Sequence, residues 1–159
     1  MKTKKLLLVL FFPLIFAAIY LYNAFMLNSL NYPLIKLYRW TQIQRSTTDL
    51  QTAKYHLQNI NDLTGIFYNT SFHQQIKDGR LVAIARELSN EESYATAHLE
   101  KAEKQGSSVK AEADVLCKAL DRQKIVLIAI VNTAEPSLRP KLLESLKITE
   151  KDIAKAMEW

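Results

Sequence analysis

Residues 107–134, SSVKAEADVLCKALDRQKIVLIAIVNTA, decide how this chain folds. Apolar side chains recur there at Val109, Ala113, Leu116, Leu120, Leu127, Ile130 and Ala134, in steps of three and four broken at Gln123. That period lines them up on one face of an α-helix, about 26 residues or ~39 Å long at the standard rise. Ile125 to Val131 is rich in β-branched residues and also reads as a buried strand. The phase of the upstream stripe and the length of the segment favour helix, and the strand stays open as the alternative.

The same period extends in both directions. Upstream, a polar start at Arg45-Ser46-Thr47-Thr48 precedes Leu50, Ala53, Leu57, Ile60 and Phe67, with Thr64 the one gap and Gly65 near the expected end. Leu81, Ile84, Ala85 and Leu88 form a second stripe after Lys77-Asp78-Gly79. Ser89-Asn90-Glu91-Glu92 then has the pattern of a fresh N-cap with an acidic first turn, opening a short charged helix through Tyr94, Ala97, Leu99 and Ala102 that Gly106 stops. Downstream, Leu138, Leu142, Leu143 and Leu146 follow Glu135-Pro136, and Thr149-Glu150-Lys151-Asp152 caps a last helix carrying Ile153, Ala156 and Met157. With Gly (3) and Pro (4) scarce, the expected fold is all-α: one N-terminal transmembrane helix followed by an irregular bundle of five or six amphipathic helices. No repeat spaces these segments, which argues against a solenoid.

At the N-terminus, Leu6 to Leu27 carries no charge and one strongly polar side chain, Asn23, and at ~1.5 Å per residue it is long enough to cross a ~30 Å hydrocarbon core. A cleaved signal peptide is the rival, but its apolar run is shorter and ends in small residues three apart, and no Ala-x-Ala occurs near the end of this one. The expectation is an uncleaved single-pass anchor over 1–28, a juxtamembrane aromatic and basic segment over 29–46, and a helical domain over 47–159. Lys2, Lys4 and Lys5 precede the run, and the next charge is Lys36. The positive-inside bias then puts the N-terminus in the cytoplasm and the domain on the periplasmic or extracytoplasmic side. Tyr32, Lys36, Tyr38, Arg39 and Trp40 crowd the outer end, where amphipathic rings favour the headgroup layer. The alternative there is a connector whose aromatics pack onto the domain.

The +5 formal charge shrinks once the anchor is set aside: without its three lysines, 18 basic side chains face 16 acidic ones. That balance does not call for nucleic acid. A lone Cys117 excludes an internal disulfide framework and a cysteine-based metal site; an apolar-packed thiol is expected, with an intermolecular disulfide as the rival. His56, His73 and His98 stand in no metal-ligand spacing, and no nucleophile elbow or phosphate loop is present. Glu91-Glu92 and Glu100/Glu103 sit among lysines and read as solvated helix faces. No catalytic residue, cofactor or metal is therefore expected. Asn69-Thr70-Ser71 is a glycosylation sequon in an expected loop, and Phe67, Tyr68 and Phe72 around it are candidate partner contacts.

Tyr22-Asn23 and Trp40-Thr41-Gln42-Ile43 faintly resemble LemA-like membrane proteins over those short stretches, while the basic pair and Leu-Ile-Pro run that should follow are missing. No family is assigned on that basis. The function expected by elimination is a membrane-anchored interaction module, without enzymatic activity, that uses the bilayer through Leu6–Leu27 and binds a protein partner on the far side. An envelope immunity or inhibitor protein masking a toxin or hydrolase is the first alternative. An enzyme with an unrecognised site is the second.

Overall fold

The computed structural model describes the backbone of residues 2–27, 29, 31–72 and 78–157, and their side chains except at 2–12, 26, 72 and 78. Seven helices make up this part: α1 (Lys2–Met26), α2 (Tyr32–Arg45), α3 (Asp49–Phe72), α4 (Asp78–Ala102), α5 (Ser107–Thr133), α6 (Arg139–Ser145) and α7 (Glu150–Met157). There is no strand among the described residues, so Ile125 to Val131 is helical, as the phase of its stripe implies.

Three long helices form the centre. Asp49 meets His98 and His56 meets Glu91, so α3 and α4 run antiparallel. Lys54 meets Glu112 and Gln123 meets Thr64, which sets α5 parallel to α3. Between them lie Ile60, Leu63 and Phe67 of α3, Ile84, Leu88 and Leu99 of α4, and Leu120, Leu127 and Val131 of α5, all buried. The two gaps in the apolar stripes, Thr64 and Gln123, face each other: Gln123 Nε2 donates to Thr64 Oγ1 at 2.6 Å, and Thr64 donates on to the Ile60 carbonyl at 2.8 Å. Each polar side chain is tolerated in the interface because the other satisfies it. Leu138, Leu142 and Leu146 close the end of the bundle around α6. A capping box holds α7, with Thr149 and Asp152 bonding reciprocally through side chain and backbone N–H. Gly106, at φ 124°, makes the left-handed turn into α5 that an L side chain would strain.

Three local expectations change. Ser89-Asn90-Glu91-Glu92 is not a helix start, because α4 runs through it unbroken, with Ser89 and Glu91 both buried. Gly65 does not end α3, which continues to Phe72. Asn69-Thr70-Ser71 consequently lies on a helix rather than in a loop, with Thr70 fully buried.

The expected anchor falls on α1. Among the described residues no helix is long and apolar enough to cross a membrane. The apolar run starts at Leu6, however, and the side chains of 6–12 lie outside the described ones. The described remainder is short of the ~20 residues a span needs. At its far end α1 packs on α2 and α4, burying Ala24 and Leu27 and setting the Phe25 ring 3.8 Å from the Arg80 guanidinium. For the bundle, Leu120→Ala is expected to cost about 2–3 kcal/mol, the low end for a buried leucine. Lys118→Ala, at an exposed position of the same helix, should stay within about 0.5 kcal/mol. Equal losses in denaturant titrations would mean that α5 presents another face.

Candidate functional site

A cluster of ionisable side chains converges where α2 crosses the α3/α4 pair. Glu91 is 3% exposed, and its Oε2 accepts hydrogen bonds from His56 Nδ1 at 2.7 Å and Asn59 Nδ2 at 3.0 Å. Lys36 of α2 lies 3.5 Å from the other oxygen and bonds Glu87 one turn earlier. Arg39, one turn further along α2, reaches Asn59 Oδ1 at 2.9 Å and Asp62 at 2.6 Å. The seam thus runs without a break from Glu87 through Lys36, Glu91, Asn59 and Arg39 to Asp62. On its other side the His56 ring stacks on His98 with centroids 5.9 Å apart and sits 5.3 Å from Tyr94. His98 in turn bonds Asp49, which also accepts from Gln105.

Burial by itself would push the Glu91 carboxyl upward, but the hydrogen bonds from His56 and Asn59 and the nearby Lys36 charge outweigh it and hold Glu91 below the usual carboxylate range. A carboxylate whose folded pKa is depressed stabilises the fold above its unfolded pKa, and that contribution disappears as pH falls through the folded value. Melting temperature should therefore fall between about pH 5 and 3, a window set by the ordinary carboxylate range and the downward shift. Glu91→Gln should flatten that part of the profile, and an unchanged slope would exclude Glu91 as its source.

Tyr32 stacks no charge of its own into the seam. It is 1% exposed, and its buried hydroxyl has no hydrogen-bond partner among the described residues. Burial, with Glu91 nearby, pushes its ionisation far above that of a free tyrosine. An unsatisfied buried hydroxyl costs about 1–3 kcal/mol, so Tyr32→Phe should leave stability unchanged or raise it by up to about 1 kcal/mol. A loss in thermal melts would show that the hydroxyl is satisfied after all.

The sequence-derived candidates divide accordingly. Of the five interfacial residues, Tyr32, Lys36 and Arg39 turn into the seam, while Tyr38 and Trp40 are exposed at 65% and 55%. Phe67 is fully buried, Tyr68 is half exposed, and the Phe72 side chain lies outside the described residues. His73 lies outside them too. Glu91, expected on a solvated face, is instead buried against His56, a histidine to which the sequence assigned no role. The signal for Glu91 was the phase of α4, since it falls between Leu88 and Ala95 where the stripe continued by Leu99 and Ala102 needs an inward residue. Cys117 packs at the core edge with Sγ 3.7 Å from Glu103. Burial and the Glu103 charge push that thiol up, away from the reactive thiolate.

A carboxylate that orients a histidine is half of a hydrolytic triad, but His56 is nearly enclosed and no Ser, Thr or Cys hydroxyl or thiol bonds its ring among the described contacts. Among the described residues no group of three His, Cys, Asp or Glu side chains is placed to hold a metal ion. Two open depressions border these helices. One, of about 460 Å³, runs between α2 and α3 beside Leu34, Tyr38 and Tyr55. The other, about 300 Å³, is lined by Ser93, Glu100, Lys147 and the Glu92–Lys124 pair. There, burial raises the Glu92 carboxyl despite Lys124 beside it. The architecture defines an all-α bundle with the ion-paired helix α2 clamped across it. Comparison with family models, curated proteins and solved structures finds no match.

Proposed function

We propose that this protein is a membrane-anchored helical module that acts by binding a protein partner on the extracytoplasmic side, without catalysing a reaction. The observation that carries the anchor is the surface of α1: Leu14, Phe16, Ile19, Leu21, Tyr22 and Phe25 are each more than half exposed. At 100° per residue these positions spread over more than half of the helix circumference, more than one packed neighbour covers. They continue an uncharged run that begins at Leu6, and a helix apolar all round is one that lipid surrounds. The three lysines before it favour a cytoplasmic N-terminus.

The binding role is supported by the burial of His56 and Glu91, which leaves that acid–base pair out of a substrate's reach, together with the exposed aromatic rings of Tyr68 and Tyr94. Such rings are preferred anchors for a protein partner, whether an interaction partner in general or a toxin held by an immunity protein. Alkaline carbonate washing of native membranes should leave the full-length chain in the pellet. Crosslinking there should then recover one specific protein, and Tyr68→Ala should lose it. A soluble chain, or a product starting between residues 19 and 30, would remove the anchor.

One observation favours the enzymatic alternative: Glu92 sits in an open depression with a raised carboxyl pKa, as a general acid would. If Glu92→Gln abolishes the cellular phenotype while folding and partner capture persist, catalysis replaces binding as the function.

A further inference from the structure

Helix α2 is built with its polarity reversed. The side turned to the bundle carries Tyr32, Arg39 and, at its partly exposed edge, Lys36, the two cations neutralised by Glu87, Glu91 and Asp62. Its outward face carries Leu34, Leu37, Tyr38 and Trp40, exposed at 56, 57, 65 and 55%. An amphipathic helix on a water-facing domain has the opposite arrangement. The ionic seam makes the reversal affordable, because the cations find carboxylate partners on the bundle, and the apolar side is left needing a cover.

We propose that this cover is the bilayer: α2 lies in the plane of the membrane surface, with Leu34, Leu37, Tyr38 and Trp40 in the boundary between headgroups and acyl chains. The inference rests on the anchor reading of α1. Three observations select lipid over a second copy or another protein. The link 27–31 from α1 is short, so a spanning α1 delivers α2 to the membrane surface. The outward set joins two leucines to a tyrosine and a tryptophan, the residues that occupy this depth. No acidic residue lies anywhere on α2, from Tyr32 to Arg45, to repel lipid phosphates. The seam then acquires a role: it fixes the angle at which the α3–α7 bundle stands on the membrane.

The chain has two tryptophans, so Trp159→Phe leaves Trp40 as the reporter. The full-length variant is reconstituted in phosphatidylcholine vesicles and collected by flotation. Trp40 emission should shift to the blue, be quenched several-fold more by lipids brominated at shallow than at deep acyl carbons, and be shielded from iodide. Adding Leu37→Glu, at an exposed position, should restore iodide access while flotation and thermal melting are unchanged. A chain that floats with Trp40 red-shifted and open to iodide overturns the surface-lying helix and leaves the anchor standing. A blue shift without bromine quenching means that protein covers the face, which overturns it equally. A chain that does not float ends the anchor reading and this inference together.

Discussion

Glu91→Ala is expected to lower the stability of the bundle by about 3–5 kcal/mol, the cost of breaking a buried charged cluster from one side. The carboxylate is the common acceptor for His56, Asn59 and Lys36. Its removal leaves two buried donors without partners and the lysine short of one counter-charge. Against a total of about 5–15 kcal/mol for a domain, that is a large share. The neighbouring Glu87→Ala serves as the control: Glu87 also pairs with Lys36, but its side chain is 22% exposed and water replaces it, so a loss of about 1 kcal/mol or less is expected. Denaturant titrations of the full chain in mild detergent, followed by helical circular dichroism, compare the two. Pairing His56→Ala with Glu91→Ala should cost clearly less than the sum of the single losses, because the two share one interaction. Equal losses at Glu87 and Glu91 would mean that the Glu91 carboxylate is hydrated and the seam does not exist as described.

Phe67 and Tyr68 are adjacent in sequence and opposite in consequence. Phe67 is fully enclosed between α3 and its neighbours, and Phe67→Ala should cost about 3–5 kcal/mol through lost burial and the cavity left behind. Tyr68, half exposed one residue on, should cost about 0.5 kcal/mol or less when replaced by alanine. The same pair separates folding from binding. Loss of a crosslinked partner in Tyr68→Ala at unchanged melting temperature marks a contact, whereas in Phe67→Ala any loss of binding follows loss of structure. A melting temperature that drops as far for Tyr68→Ala as for Phe67→Ala would place both in the core and withdraw Tyr68 as a contact.

The helices themselves were legible because their signals are local. The stripe from Val109 to Ala134 specifies α5, the Thr149–Asp152 capping box starts α7, and Gly106 separates α4 from α5. Each needs only residues within a turn or two of one another, so the all-α class follows from the chain read in order. What the sequence did not reveal has one cause. A pattern reading sends apolar residues inward and charges outward, yet Glu91 is inside α4, His56 is inside α3, and α2 turns Lys36 and Arg39 inward and Trp40 outward. A charge becomes tolerable in the interior only when another part of the chain brings a partner to hydrogen-bond distance. Those partners lie 35 residues away for His56 and Glu91 and 51 for Lys36 and Glu87. Local periodicity therefore determined where the chain is helical and which apolar stripe of α3 and α4 faces the core, and tertiary packing alone decided that α2 turns Lys36 and Arg39 toward the bundle and that His56 and Glu91 join the interior.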